Sequence, residues 1–175
     1  MNLIALALIV VAQAQLPATP RDVGEASPSA RQFIQDAATG GTAEVSLGRM
    51  AANKAGSTQV RAFAERMVKD HGAANDELME LAKKKGVSLS TQLDPTHRAL
   101  VDRLGSLSGP EFDREYMQAM VSDHQTDVGK FEREVKGGRD ADVKSFAERT
   151  LPTLRQHLEL AQETARGTSS TAGRK

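Results

Sequence analysis

Apolar residues recur every three to four positions in four stretches of this chain, and three of the four resulting stripes contain a histidine while the other contains a glutamate. In the first stretch, Phe33, Ala37, Glu44, Leu47 with Gly48, and Ala51 share one helical face. Ser27-Pro28 opens it as an N-cap followed by proline at the first helical position, and Gly56 stops it. Ser57 caps a second helix whose stripe is Val60, Phe63 with Ala64, Met67, His71, Ala74, Leu78 and Leu81. It closes on Lys83-Lys84-Lys85 and Gly86, cations at the negative end of a helix dipole followed by the residue that best tolerates a C′ position. The third long helix is predicted from a capping box, Ser108-Gly109-Pro110-Glu111, and carries Phe112, Tyr116 with Met117, Met120, His124, Val128, Phe131 and Val135 up to Gly137-Gly138. The fourth starts near Asp140 and aligns Val143, Phe146 with Ala147, Thr150, Leu154, His157 with Leu158, and Ala161 before Gly167. Pro152 inside it removes a backbone bond and crowds the carbonyl of Glu148, so a kink is expected there. No stretch alternates with period two for long enough to make a strand. The prediction is all-α.

Connection lengths set the topology. Ala55-Gly56 joins the first two helices and Gly137-Gly138-Arg139 the last two, and joints this short make antiparallel neighbours. Residues 86–109 are long enough to cross the whole bundle, and Asp94-Pro95 within them starts a short helix bearing Ala99, Leu100 and Leu104. Two antiparallel hairpins joined by one long crossover form the ferritin-like four-helix bundle. Val60-Arg-Ala-Phe-Ala-Glu-Arg66 echoes Val143-Lys-Ser-Phe-Ala-Glu-Arg149, which points to a duplicated hairpin and aligns Glu44 with Asp127.

The ends read differently from the middle. Leu3 to Ala12 is apolar but much shorter than the about 20 residues a membrane-spanning helix needs. It runs into Ala12-Gln13-Ala14, a small-x-small cleavage pattern, although its n-region has no Lys or Arg. Residues 1–14 are therefore expected to be a signal peptide and 15–27 an extended linker, with the bundle spanning 28–167 and a disordered tail at 168–175. The mature chain would carry no membrane span and would sit in the periplasm or cell envelope.

Composition narrows the chemistry. The chain has no cysteine, which removes thiolate catalysis, CxxC redox chemistry and cysteine zinc sites together. Lys plus Arg and Asp plus Glu are equal at 23 each, without the basic excess of a nucleic-acid protein. Five phenylalanines, one tyrosine and no tryptophan leave little for base stacking. There is no Gly-x-Ser-x-Gly, no phosphate-binding glycine loop with Lys-Ser/Thr and no His-Glu-x-x-His.

The sequence resembles a known family. Glu44-Val-Ser-Leu-Gly, Phe63-Ala-Glu-Arg-Met-Val-Lys-Asp-His71, Phe112-Asp-Arg-Glu-Tyr116, Met120-Val-Ser-Asp-His124 and Thr150-Leu-Pro-Thr-Leu154-Arg-Gln-His157-Leu are similar to the domain of unknown function 4142. The resemblance covers residues 30–165 and implies an exported bacterial ferritin-like bundle, a class often described as outer-membrane proteins. It implies no reaction and no catalytic residues.

Titratable side chains on buried stripes are either paired or ligating. A di-iron site needs Glu-x-x-His on two helices, whereas Val68, Val121 and Leu154 stand three residues before His71, His124 and His157. A mononuclear site remains open: His71, His124, His157 and Glu44 form a set suited to copper, zinc or iron. In a Met/His version, Met67 and Met120 each lie four residues before a histidine and suit Cu(I). Against both stands a hydrogen-bonded core network that fixes the bundle's register, with Asp70 or Asp123 orienting a ring. His97, in the crossover, reads as a surface residue. The leading expectation is thus an exported, non-enzymatic bundle of unassigned biochemical role, with stress as a candidate context and an unknown envelope partner. The alternative is a transition-metal binding or redox protein.

Overall fold

A computed structural model describes residues 24–172, with side chains to residue 168. The expected signal peptide, and the linker as far as residue 23, lie outside the described residues. Helices α1 (Pro28–Lys54), α2 (Thr58–Lys84), α4 (Gly109–Gly137) and α5 (Ala141–Ala172) form the bundle, and α3 (Pro95–Gly105) lies in the crossover. Among the described residues no helix is long and apolar enough to cross a membrane.

Polar ties at the two ends fix the helix directions. At one end Asp113, in the first turns of α4, reaches the α1–α2 joint and accepts from the Gly56 amide at 3.0 Å and the Ser57 amide at 2.7 Å. At the other, Lys85 after α2 pairs with Asp140 and Asp142 at the α4–α5 joint, both at 2.8 Å. So α2 and α4 run parallel, and the crossover travels the length of the bundle between them. This is the ferritin-like arrangement.

Close helix approach explains several small residues of α1. A Cβ added to Gly48 would stand 3.0 Å from the Ala64 carbonyl oxygen and 2.9 Å from Val68 Cγ2, so α1 and α2 touch through backbone there. Gly40 and Gly41 are both buried inside α1 and face Asp127 and Asn75.

Local details depart from the sequence pattern at the start of α4 and along α5. Ser108 is the N-cap of α4, but its side chain makes no capping bond. Gly109 follows at φ +56°, a left-handed turn that re-aims the chain before the first helical amides. α5 continues through Gly167 to Ala172, so the tail expected to be disordered is helical as far as it is described. Packing overrides the glycine's weak propensity here: Leu160, Ala161 and Ala165 lie on the core, and Thr168 Oγ1 donates to the Ala165 carbonyl at 2.9 Å. The end of the linker is also tied down, with Ala26 buried and its amide 3.3 Å from the Lys85 carbonyl. Pro152 sits on the exposed face of a continuous α5.

The core is split in two. A lower apolar cluster contains Phe33, Ile34, Leu78, Phe131, Phe146 and Leu154, and an upper one contains Leu47, Val60, Met67, Phe112, Met120 and Ala161. Along every bundle helix the residue falling between the two clusters is polar and buried: Glu44, His71, His124 with Asp127, and His157. The bundle has a polar layer at mid-height.

Candidate metal centre

The four stripe positions singled out by periodicity converge in this layer. Glu44 is 0% exposed, His124 0%, His157 1% and His71 6%. The imidazole centroids form a nearly equilateral triangle with sides of 5.2, 5.4 and 5.5 Å. One ring nitrogen from each histidine lies within 4.8 Å of the other two. Ligands of a tetrahedral ion with bonds of about 2.0–2.1 Å stand about 3.3 Å apart, so small side-chain shifts would close the set.

Hydrogen bonds settle which nitrogens are available. His124 Nδ1 donates to the Met120 carbonyl at 2.9 Å, the back-bond to the preceding helical turn, and its Nε2 is left as an acceptor. That Nε2 accepts a hydrogen bond from His71 Nε2 at 3.4 Å, a separation that two ligands on one ion also adopt once the proton leaves. His157 Nε2 donates to Asp70 Oδ2 at 2.9 Å, and its Nδ1 is buried without a partner. A carboxylate holding the outer nitrogen of an imidazole while the inner one stays free is the usual support of a metal-binding histidine. Asp70 is held in turn by Arg66 Nε at 3.1 Å.

Glu44 closes the triangle from α1. Its Oε1 is 3.3 Å from His124 Nδ1 and its Oε2 is 4.0 Å from His71 Nε2, yet neither ring donates to it. Tyr116 Oη is also buried and unpartnered, as is His157 Nδ1. Orphaned polar atoms of this kind are rare in native cores, since each costs about 1–3 kcal/mol unless something satisfies it. Clustered in one layer, they form a polar set whose atoms could serve as donors to an interior ligand.

The charge states agree. Burial, reinforced by the neighbouring imidazoles, lowers the His71 pKa to about 3. Burial brings His157 to about 4 despite the opposing pull of Asp70, and it lowers His124 too. All three rings are therefore neutral at pH 7, the form that binds metals. Glu44 is pushed well above the carboxylate range by burial and then by the charge of Asp123, so it is held protonated in the metal-free layer and would release that proton on ligating a cation. Asp70 goes the other way: burial alone would raise it, but bonds from His157 and Arg66 prevail and hold it low.

Met67 and Met120 are fully buried within the upper apolar cluster, where they fill space beside the layer. His97 is not a free surface residue: it is half-buried, its Nδ1 bonds Asp94, and its Nε2 is 4.0 Å from Asp123 Oδ2. Asp127, which the internal repeat paired with Glu44, is buried in the layer and held by Lys130 at 3.1 Å, and burial raises its pKa. Tyr116 was read only as core. The repeated Asp-His dipeptide at residues 70–71 and 123–124 marked acids beside the rings, but not which ring each would serve.

The sequence profile of a domain of unknown function, DUF4142, matches residues 15–164. The chain belongs to the DUF4142 family. Solved structures place its fold among those of another family of unknown function. A DUF305 fragment from Deinococcus radiodurans is 17% identical to this DUF4142 chain and superposes with a TM-score of 0.71 over 81% of it and 97% of the fragment. A DUF305 protein of Streptomyces coelicolor, described as secreted, gives 14%, a TM-score of 0.68, and coverage of 81% and 94%. CopM in its Cu(II)-bound form gives 14%, a TM-score of 0.66, and coverage of 79% and 96%. A search of curated proteins returned no match.

Proposed function

We propose that this protein is an exported, non-enzymatic metal-binding bundle that holds one transition-metal ion, copper in preference to zinc, between His71, His124 and His157, with Glu44 as the adjoining carboxylate. The observation that carries this reading is the free inward-facing nitrogen of His157, whose outer nitrogen Asp70 already occupies. A core network built only for stability would leave no such atom. Three neutral imidazoles and a carboxylate suit copper, zinc and iron, and copper outranks zinc in affinity at such donors. The copper-bound state of CopM, a protein of similar fold, adds support for that choice. Binding fits better than turnover, because the cavity beside His71 is only about 20 Å³, enough for roughly one water. Export rests on the apolar run and Ala12-Gln13-Ala14, with support from the secreted DUF305 neighbour.

Elemental analysis of untagged protein and of a His71→Ala/His124→Ala double variant tests the reading. One equivalent of metal in the first and none in the second is expected. Equally negligible metal in both, after reloading with Cu(II), would refute it.

A further inference from the structure

A buried site must be loaded from somewhere, and the surface around the polar layer is uneven. In the groove between α2 and α5, beyond His157, Asp70 is matched by Arg66 and Glu77 by Arg149. Cations gain nothing by approaching there. On the opposite flank, α3 and α4 enclose a cleft of about 580 Å³ lined in part by His97, Leu100, Arg103, Glu115, Ala119 and Asp123. Arg103 and Glu115 face each other at 3.9 Å, which leaves Asp123 as the unmatched charge in the cleft.

Asp123 spans the wall between cleft and core. It immediately precedes His124 on α4, its Oδ2 is buried, and it acts on Glu44 inside the layer by charge and by hydrogen bonding. Across the cleft mouth His97 Nε2 stands 4.0 Å from that same oxygen. This is too long for a hydrogen bond, but one ion with bonds of about 2.0–2.2 Å to each atom can bridge it. His97 is prepared as Asp70 prepares His157: Asp94 holds its Nδ1 and turns Nε2 toward the gap.

We infer that the α3–α4 cleft is the loading route, in which His97 and Asp123 capture the cation and pass it to Glu44 and the histidine triangle. The inference rests on the metal-binding reading above. It gives the crossover helix a role beyond connecting the hairpins: α3 carries one of the two capture ligands.

The single tyrosine supplies the readout, since Tyr116 is buried and senses the charge of Glu44. Cu(II) is mixed with metal-free protein in a stopped-flow instrument and the quenching of Tyr116 fluorescence is followed. His97→Ala and Asp123→Asn, made separately and checked for native helicity, are each expected to slow quenching at least ten-fold while still reaching one equivalent. Rates within two-fold of wild type in His97→Ala would overturn the route, even if Asp123→Asn failed to fold. Faster loading after Arg149→Ser would overturn it too, in favour of the opposite flank. Absence of any copper uptake by the wild type would instead remove the metal-binding reading itself.

Discussion

Replacing His71 by glutamine should make the metal-free protein less sensitive to acid. The fold holds this ring in its neutral form, because burial and two neighbouring imidazoles oppose protonation and bring its pKa from 6.5 to about 3. The folded pKa is depressed, so the unfolded chain binds the proton first as pH falls. The stability at stake is fully present above the unfolded pKa of 6.5 and drains away as pH drops toward about 3. Integrated from about pH 7 to about pH 5, that difference amounts to about 2 kcal/mol for this residue. The ring is buried, so solvent screening takes little from this figure. His157, brought to about 4, adds a similar amount over the same interval. Together they are a large part of the about 5–15 kcal/mol that holds a domain folded. Glu44 works in the opposite sense: its pKa is raised, so its contribution is present below 4.5 and is lost as pH rises. It is common to wild type and His71→Gln, so the difference between them isolates His71. Urea unfolding of chelator-treated protein at the two pH values measures it. Wild type should lose about 2 kcal/mol more than His71→Gln on acidification. Parallel losses would show that His71 is not held neutral in the layer, and the reasoning about its availability as a ligand would fail with it.

Other consequences are as direct. Asp70→Asn keeps His157 in place but weakens its orienting partner, and should lower metal affinity about 10- to 100-fold by calorimetry; an unchanged affinity would reduce Asp70 to a surface partner of Arg66. Gly48→Ala should destabilise the bundle by about 1–3 kcal/mol in thermal unfolding, because the new methyl group meets the backbone of Ala64. Gly41→Ala should be near neutral, since its obstacle is the movable end of Asn75 and alanine favours the helix. Asp113→Ala strips two amides at the α1–α2 joint of their acceptor and should cost about 1–3 kcal/mol, read from the urea midpoint.

How far the sequence reached depends on the kind of contact. Helical period alone put Glu44, His71, His124 and His157 on inward faces, and two short joints with one long crossover fixed the topology, because both are properties of local spacing. Asp113, and the partners of Asp70 and Asp123, were out of reach for the opposite reason. Asp113 caps a joint 56 residues away, and Asp70 serves a histidine 87 residues away rather than its neighbour His71. Such pairings are set by how helices rotate against one another, which periodicity does not specify. The same limit explains His97, whose short crossover helix is placed by its docking on α4. The capping box at Ser108 failed on one backbone angle at Gly109, and α5 runs past Gly167 because packing of Ala161 and Ala165 outweighs a glycine.

The claim on which the rest depends is that His71, His124 and His157 can close on one ion. X-ray absorption on protein loaded with one equivalent of Cu(II) addresses it most directly. The account predicts three imidazole nitrogens at about 2.0 Å with a light oxygen shell from Glu44 and no sulfur scatterer. One imidazole or none, or a sulfur shell from Met67 or Met120, would contradict it.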